Sequence, residues 1–221
     1  SNDVFTMDKI LLGDVFIRGG SSSGTHVLEE GRPIGQFYGL VCNGIDENGR
    51  YILVDKDGDG EISDPADYDY IGSAQPKLTY GITNSFRYKN FDLSFFLRGT
   101  IGNDILNATR MAYAQSGFLP GTNALDDPLT YTLSETPRFS NYYLEKGSFM
   151  RLDNLTLGYK IKALNGIRVY FTAQNLFVIT KYKGLDPEVP MDSGDGLTPG
   201  VEPREFYPKA RTFSVGLNLN F

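Results

Sequence analysis

The sequence predicts an all-β, antiparallel protein of the membrane-barrel kind, and three observations carry that prediction. Near its end the chain alternates strictly. Phe213, Val215, Leu217, Leu219 and Phe221 are apolar, and Thr212, Ser214, Gly216, Asn218 and Asn220 between them are small or polar. Successive strand side chains point to opposite faces, so one face is greasy and the other wet. A transmembrane barrel strand needs this pattern over about 9–11 residues. The same alternation recurs upstream in two long hairpins. The connections also differ in length: turns at 89–90 and 162–166 are short, whereas 46–76, 102–148 and 179–210 are long and rich in Gly, Pro, Asp, Asn, Ser and Tyr. Outer-membrane barrels combine short periplasmic turns with long extracellular loops, and soluble domains rarely keep several loops of that length.

Taken in order, residues 9–18 are a weak strand candidate. Gly19–Gly24 (GGSSSG) reads as a flexible linker; no Lys-Ser/Thr follows, so it is not a phosphate loop. Residues 34–45 look extended but alternate poorly. Leu78, Tyr80, Ile82, Asn84, Phe86 and Tyr88 then alternate with Thr79, Gly81, Thr83, Ser85 and Arg87. Lys89-Asn90 is a tight turn. Phe91, Leu93, Phe95, Leu97 and Ile101 form the returning arm, with Phe96 breaking its polar face. Residues 104–115 could form one short helix, and no convincing amphipathic helix is present. The second hairpin sets Leu155, Leu157, Tyr159 and Ile161 against Ile167, Val169, Phe171 and Ala173. Its phase drifts between Phe149 and Asn154, which predicts a β-bulge.

Composition narrows the function. The 221 residues carry a net charge of −6 with no basic run, which argues against a nucleic-acid partner. Tyr (14) and Phe (15) are abundant and Trp is absent. The single Cys42 excludes an internal disulfide and reads as a buried small hydrophobe. One histidine, His26, excludes a His-rich metal site and makes most catalytic triads impossible. No nucleophile–base–acid set is visible, so the chain is not expected to be an enzyme. No stretch is apolar enough for a membrane helix, which leaves barrel strands as the way across a bilayer.

The sharpest local motif is Asp55-Lys56-Asp57-Gly58-Asp59-Gly60-Glu61-Ile62-Ser63. Carboxylates at the first, third and fifth positions with Gly at the sixth match the start of an EF-hand-type calcium loop. The metal-ligating candidates are Asp55, Asp57, Asp59, the Glu61 carbonyl, Ser63 and a closing carboxylate. The twelfth position is Ala66, so closure falls to Asp67, one residue late, or to Asp64. Calcium is favoured over magnesium because the site is all-protein and rich in carboxylate. An acidic, solvated turn is the plain alternative. Aromatics gather in the long connections: Tyr68, Tyr70, Tyr113, Phe118, Tyr131, Phe139, Tyr142, Tyr143, Phe206 and Tyr207. They could stack on sugar rings, receive a partner protein, pack among themselves or form an interfacial girdle.

Further motifs occur in series: Pro33–Gly39 (PIGQFYG), the acidic loop, Ile71–Gly81 (IGSAQPKLTYG), Tyr88–Ser94 (YKNFDLS), Gly147–Tyr159 (GSFMRLDNLTLGY), Gln174–Phe177 (QNLF) and Tyr207–Thr212 (YPKART) before the last strand. In this order they resemble the C-terminal part of the SusC-like (RagA-like) TonB-dependent outer-membrane transporters of Bacteroidetes, over about residues 31–221. Residues 1–30 form a poorly assigned segment. The resemblance implies a closed barrel of about 22 strands, plugged by an N-terminal domain. It implies import of glycans or peptides, drive from the TonB complex through a region outside this chain, and a SusD-like surface lipoprotein as partner. Six or seven strands cannot close such a pore, so the chain is expected to be a piece of the transporter, with function belonging to the whole. The last strand would act as an assembly signal, with Phe221 at the periplasmic interface. Two readings compete: a secreted, soluble calcium-binding β-module that adheres to carbohydrate, and a glycan hydrolase, for which no credible acid/base pair exists.

Overall fold

The computed structural model describes residues 9–17, 20–117, 119–121, 123–162, 167–189, 196–203 and 207–219. In chain order the elements are β1 (Ile10–Ile17), β2 (Gly20–Leu28), β3 (Gln36–Leu40), β4 (Cys42–Ile45), β5 (Tyr51–Leu53), β6 (Tyr68–Ser73), β7 (Leu78–Tyr88), β8 (Phe91–Ile101), β9 (Asp104–Leu106), α1 (Ala108–Tyr113), α2 (Pro128–Thr132), a 3-10 turn (Asn141–Tyr143), β10 (Leu144–Lys146), β11 (Phe149–Ile161), β12 (Ile167–Thr180) and β13 (Thr212–Asn218). The fold is all-β, and every strand pair is antiparallel. The chain divides into two compact units. One holds Pro76–Gly102, Gly147–Lys181 and the segment from Tyr207 on; the other holds the described residues up to Gln75, Asn103–Lys146 and those from Tyr182 to Pro203.

The first unit is a five-stranded sheet in the order β13-β12-β11-β8-β7. Its register explains the alternation. Ile82 lies opposite Leu97, Leu97 opposite Leu152, and Leu152 opposite Phe177. Nearer the tight turns, Leu93, Leu157, Phe171 and Val215 follow one another across four strands. One face therefore carries no Asp, Glu, Lys or Arg across the whole sheet and is apolar but for Asn84, which lies opposite Phe95. The other face carries Thr, Ser, Asn and Gln with a few charges. Two of those charges pair with carboxylates across strands: Arg98 with Asp153 at 3.2 Å, and Arg168 with Asp92 at 2.5 Å.

The expected bulge is present. The ladder shifts between Leu152 and Asn154, so β11 has Asp153 as an extra residue relative to β8. Opposite it, β12 has two residues, Asn175 and Leu176, between the partners of Asn154 and Leu152. Asn175 takes a φ of +51°, a conformation Asn tolerates better than most residues. Without these insertions every side chain beyond this point would change faces. Phe96, the residue that breaks the polar face, lies against Gly81 on the neighbouring strand, where a Cβ would meet its ring at 3.1 Å.

The predicted hairpin of 78–88 with 91–101 forms with those bounds, and the second spans 149–161 and 167–180. The tight turn at Lys89-Asn90 carries Lys89 at φ +53°. Most of the 162–166 turn lies outside the described residues, as do Asn220 and Phe221. Thirteen strands form among the described residues, not six or seven, and five of them belong to this sheet.

The second unit corrects three expectations. Residues 20–24 are not a linker but open β2, which pairs with β1; Gly19 lies outside the described residues. The boundary expected at residue 30 falls inside a continuous sheet of order β1-β2-β3-β6, where His26 faces Phe37. The long connections are not structureless either. They supply β5, which pairs with β4, the β9–β10 ladder and two short helices around a core that includes Phe37, Tyr51, Leu106, Met111, Leu129, Phe139 and Tyr143. Of the two helices, α1 lies within 104–115, where the sequence allows a short helix. Cys42 is buried there as expected, and burial pushes its thiol pKa up.

Polar caps hold the helices in this core. The Asn107 side chain accepts from the Arg110 N–H at 2.8 Å, and Asp127 accepts from the Leu129 N–H at 2.8 Å with Pro128 behind it. The Arg110 Nε also donates to Asp127 at 2.9 Å, with both side chains largely buried. Asp127→Ala removes a cap and strands a half-buried guanidinium. It should lower stability by about 2–4 kcal/mol, read by thermal or denaturant unfolding. Asp127→Asn, which keeps the cap, should lose less.

Candidate functional site

The acidic loop leaves β5 and returns to β6. Its first carboxylate, Asp55, accepts the Gly58 N–H at 2.6 Å with one oxygen and the Gly60 N–H at 2.9 Å with the other. Asp57 accepts the Asp59 N–H at 3.1 Å, and Asp59 accepts the Glu61 N–H at 2.7 Å. Each acid thus bends the chain over itself, and Gly58 and Gly60 take φ of +78° and +90° to allow it. One oxygen from each of Asp55, Asp57 and Asp59 lies within 4.8 Å of the others. Three carboxylates so close repel one another, and a hard divalent cation is the ligand that relieves this. These three fit such an ion by donor type and spacing.

Asp67 takes a place apart from this trio. It is buried. One oxygen accepts the Lys56 N–H at 2.6 Å and the Asp57 N–H at 3.4 Å; the other accepts the Ser63 N–H at 2.8 Å. It cross-braces the loop from within, and the N–H of Ser63, then those of Lys56 and Asp57, hold its carboxyl below the usual carboxylate range. Asp64 is engaged by Arg138 at 2.7 Å. Arg138, which sequence reasoning passed over, also donates to the Ile62 carbonyl at 3.4 Å. Glu61 and Ser63 are exposed; the Glu61 N–H donates to Asp59, and Ser63 donates its N–H to the Asp67 carboxylate and accepts the Asp67 N–H at its carbonyl at 3.1 Å.

Arg138, Ile62, Glu135, Tyr51, Ile52 and Leu53 line a groove beside the loop. Tyr51 donates to or accepts from Tyr143 at 2.5 Å, and its own burial raises its pKa to about 12. The sole histidine is structural: His26 Nδ1 pairs with the Thr25 hydroxyl and Nε2 with the Pro199 carbonyl, both at 2.9 Å.

The comparisons fit this architecture. No protein-family model matches the chain. It is 34% identical to TonB-dependent receptor P3 of Formosa agariphila over 89% of its own length, and 36% identical to TonB-dependent receptor SusC of Bacteroides thetaiotaomicron over 95%. The chain belongs to the SusC-like TonB-dependent receptors. It spans only 23% and 21% of the length of those two relatives. A solved structure of the RagAB peptide transporter superposes on 96% of it, with a TM-score of 0.71 and 25% identity, using 25% of that chain. These relatives are receptors and transporters rather than enzymes, and they lend nothing to a secreted carbohydrate-adhering module.

Within this SusC-like chain the loop aromatics divide. Tyr68, Phe139 and Tyr143 are core residues, whereas Tyr131 and Tyr207 stand 73% and 84% exposed. Tyr70 and Tyr142 lie under cations, with the Arg32 guanidinium 3.7 Å and the Arg110 guanidinium 5.3 Å from their ring centres. Tyr113 is half-buried, and Phe118 and Phe206 lie outside the described residues.

The brace at Asp67 gives a pH signature. A carboxyl with a depressed folded pKa stabilises above the ordinary carboxylate pKa, about 4, and its contribution is lost as pH falls through the folded value. Asp67→Asn should speed amide exchange at Lys56 and Ser63 at neutral pH. The ratio of variant to parent rates should shrink toward unity below about pH 4.

Proposed function

We propose that this chain is a stretch of outer-membrane barrel wall with its extracellular loop assembly, from the C-terminal part of a plugged, TonB-driven importer. The observation that carries the reading is the uncharged face, apolar but for Asn84, that runs across five strands. Phe213, Val215 and Leu217 on β13 stand 57%, 76% and 64% exposed, as do Leu78, Ile82 and Phe86 on β7 at about half. Strands of 11 residues, as β7 and β8 are, reach across the apolar band of a bilayer when tilted. Tyr88, Phe91 and Tyr159 gather at the tight-turn end, with Phe91 and Tyr159 at 4.6 Å, and suit a periplasmic aromatic girdle. β7 and β13 are the two edges of this sheet, and in the whole receptor their open sides would pair with further strands.

The transported cargo would be glycans or peptides, and the partner a SusD-like surface lipoprotein meeting the loop assembly. Support for peptide cargo is the likeness to the RagAB peptide transporter, and glycan cargo is what the family resemblance implies. In the acidic loop, Asp55, Asp57 and Asp59 with the Glu61 carbonyl would hold calcium, and Ser63 would sit at the rim. Asp67 would position the loop rather than ligate. A bound ion would neutralise the trio and stiffen the loop against the groove that Ile62 helps to line.

Two experiments test these readings. In the full-length receptor, Phe213→Arg, whose row runs through Ala173, Leu155 and Phe95 at mid-strand, should cost about 2–4 kcal/mol and should deplete heat-modifiable protein in the outer membrane. Ser214→Arg, on the polar face, should be tolerated. Normal levels of both would overturn the wall assignment. For the loop, calorimetry should show calcium binding that weakens strongly in Asp57→Ala and in Asp59→Ala. Unchanged affinity in both variants would remove the metal.

A further inference from the structure

The β4–β5 ladder opens at one point. Cys42 lies opposite Leu53 and Ile45 opposite Tyr51, so Asn43 and Gly44 together face the single residue Ile52. This is a bulge, and an extra residue disrupts the ladder where it sits. Asn43 is exposed. Gly44 takes a φ of +129°, and nothing stands within 4 Å of the place a Cβ would occupy.

An asparagine followed by glycine is open to attack by its own backbone, because glycine has no side chain to obstruct the approach. The attacking atom is the glycine nitrogen, which must first lose its proton. The group that holds that N–H therefore governs the reaction. Four Asn-Gly or Asp-Gly pairs lie among the described residues, and in three of them an oxygen accepts the glycine N–H. Gly49 donates to the Asp46 carbonyl at 3.1 Å. Gly58 and Gly60 donate to the two oxygens of Asp55 at 2.6 Å and 2.9 Å. The Gly44 N–H points instead to the Cys42 sulfur at 3.4 Å. A thiol sulfur is a weak acceptor, and this one gives its own proton to the Gly44 carbonyl at 3.2 Å. Space separates the two asparagines as well. Asn48 is exposed like Asn43, but Gly49 is buried, and a Cβ there would meet the Thr132 carbonyl oxygen at 2.0 Å. The backbone at Gly49 has no room to turn, whereas that at Gly44 does.

We infer that Asn43 is a site of spontaneous deamidation in the folded protein and that the fold protects Asn48. Hydroxide takes the Gly44 amide proton, and the nitrogen attacks the Asn43 side-chain carbonyl carbon. A C–N bond closes a succinimide ring, the bond to the side-chain nitrogen breaks, and ammonia leaves. Water then opens the ring at either carbonyl and leaves Asp or isoaspartate at position 43. Asn and water are consumed, Asp or isoaspartate and ammonia are formed, and nothing is oxidised or reduced. Either product puts a negative charge opposite Ile52, a residue that lines the groove beside the acidic loop. Isoaspartate also lengthens the β4 backbone by a methylene where the ladder is already irregular.

Ageing of the full-length receptor at mildly alkaline pH tests this, with a second sample aged unfolded in guanidinium chloride. Both asparagines fall in the tryptic peptide that ends at Arg50, so fragment masses read the two sites in one molecule. In guanidinium they should convert at similar rates, since glycine follows each. In the folded receptor Asn43 should convert several-fold faster than Asn48, and Asn43→Gln should remove that faster signal. Folded-state conversion at Asn43 no faster than at Asn48 would overturn the inference. So would an Asn43 that stays intact in the folded receptor while it converts in guanidinium.

Discussion

Everything in the five-stranded sheet depends on keeping side-chain phase across its ladders. A barrel strand in contact with lipid must satisfy its backbone groups in the ladder and turn every charge to the other face. A slip of one residue would turn Leu155, Leu157 and Tyr159 inward and Thr156 and Lys160 outward. The bulge at Asp153, matched by the insertion of Asn175 and Leu176, is what lets β11 and β12 run 13 and 14 residues without losing that phase. The bulge is also used. Asp153 reaches Arg98, and the Asn175 amide donates to the Lys209 carbonyl at 2.6 Å, so the irregular point anchors the segment that leads into β13.

The same sheet separates two kinds of connection. The tight turns join strands at the end where Tyr88 faces Phe91 and Ile161 faces Ile167. The long segments leave from the opposite end, where Leu78 faces Ile101 and Phe149 faces Thr180. Those segments form their own core instead of trailing as loops. Phe139 and Tyr143 are buried there with Met111 and Leu129, residues drawn from one long connection. Such packing gives the acidic loop a fixed base: Arg138, one residue from Phe139, holds Asp64 and the Ile62 carbonyl.

Charge is arranged economically on this frame. Carboxylates that could repel are either hydrogen-bonded to backbone, as Asp67 is, or paired with Arg, as Asp92, Asp127 and Asp153 are. Asp55, Asp57 and Asp59 also accept backbone N–H groups, yet they bring one oxygen each within 4.8 Å of the others, and no Lys or Arg pairs with them among the described residues.

The sequence by itself determined the sheet strands, the tight turn, the bulge and the first six positions of the acidic loop. Each is a local property, since a period of two, a Lys-Asn turn or Asp at every second position acts through neighbours in the chain. It also carried the family resemblance, because the motifs recur in order. Tertiary structure decided the rest. Gly19–Gly24 reads as a linker because small residues carry no pattern, and only pairing with β1 makes residues 20–24 part of a strand. Asp67 looked like a late metal ligand, yet its burial and the three N–H groups it gathers depend on how the loop closes on itself. The core of the long connections shares that origin. Its members lie tens of residues apart, and no local pattern announces a meeting that only packing brings about.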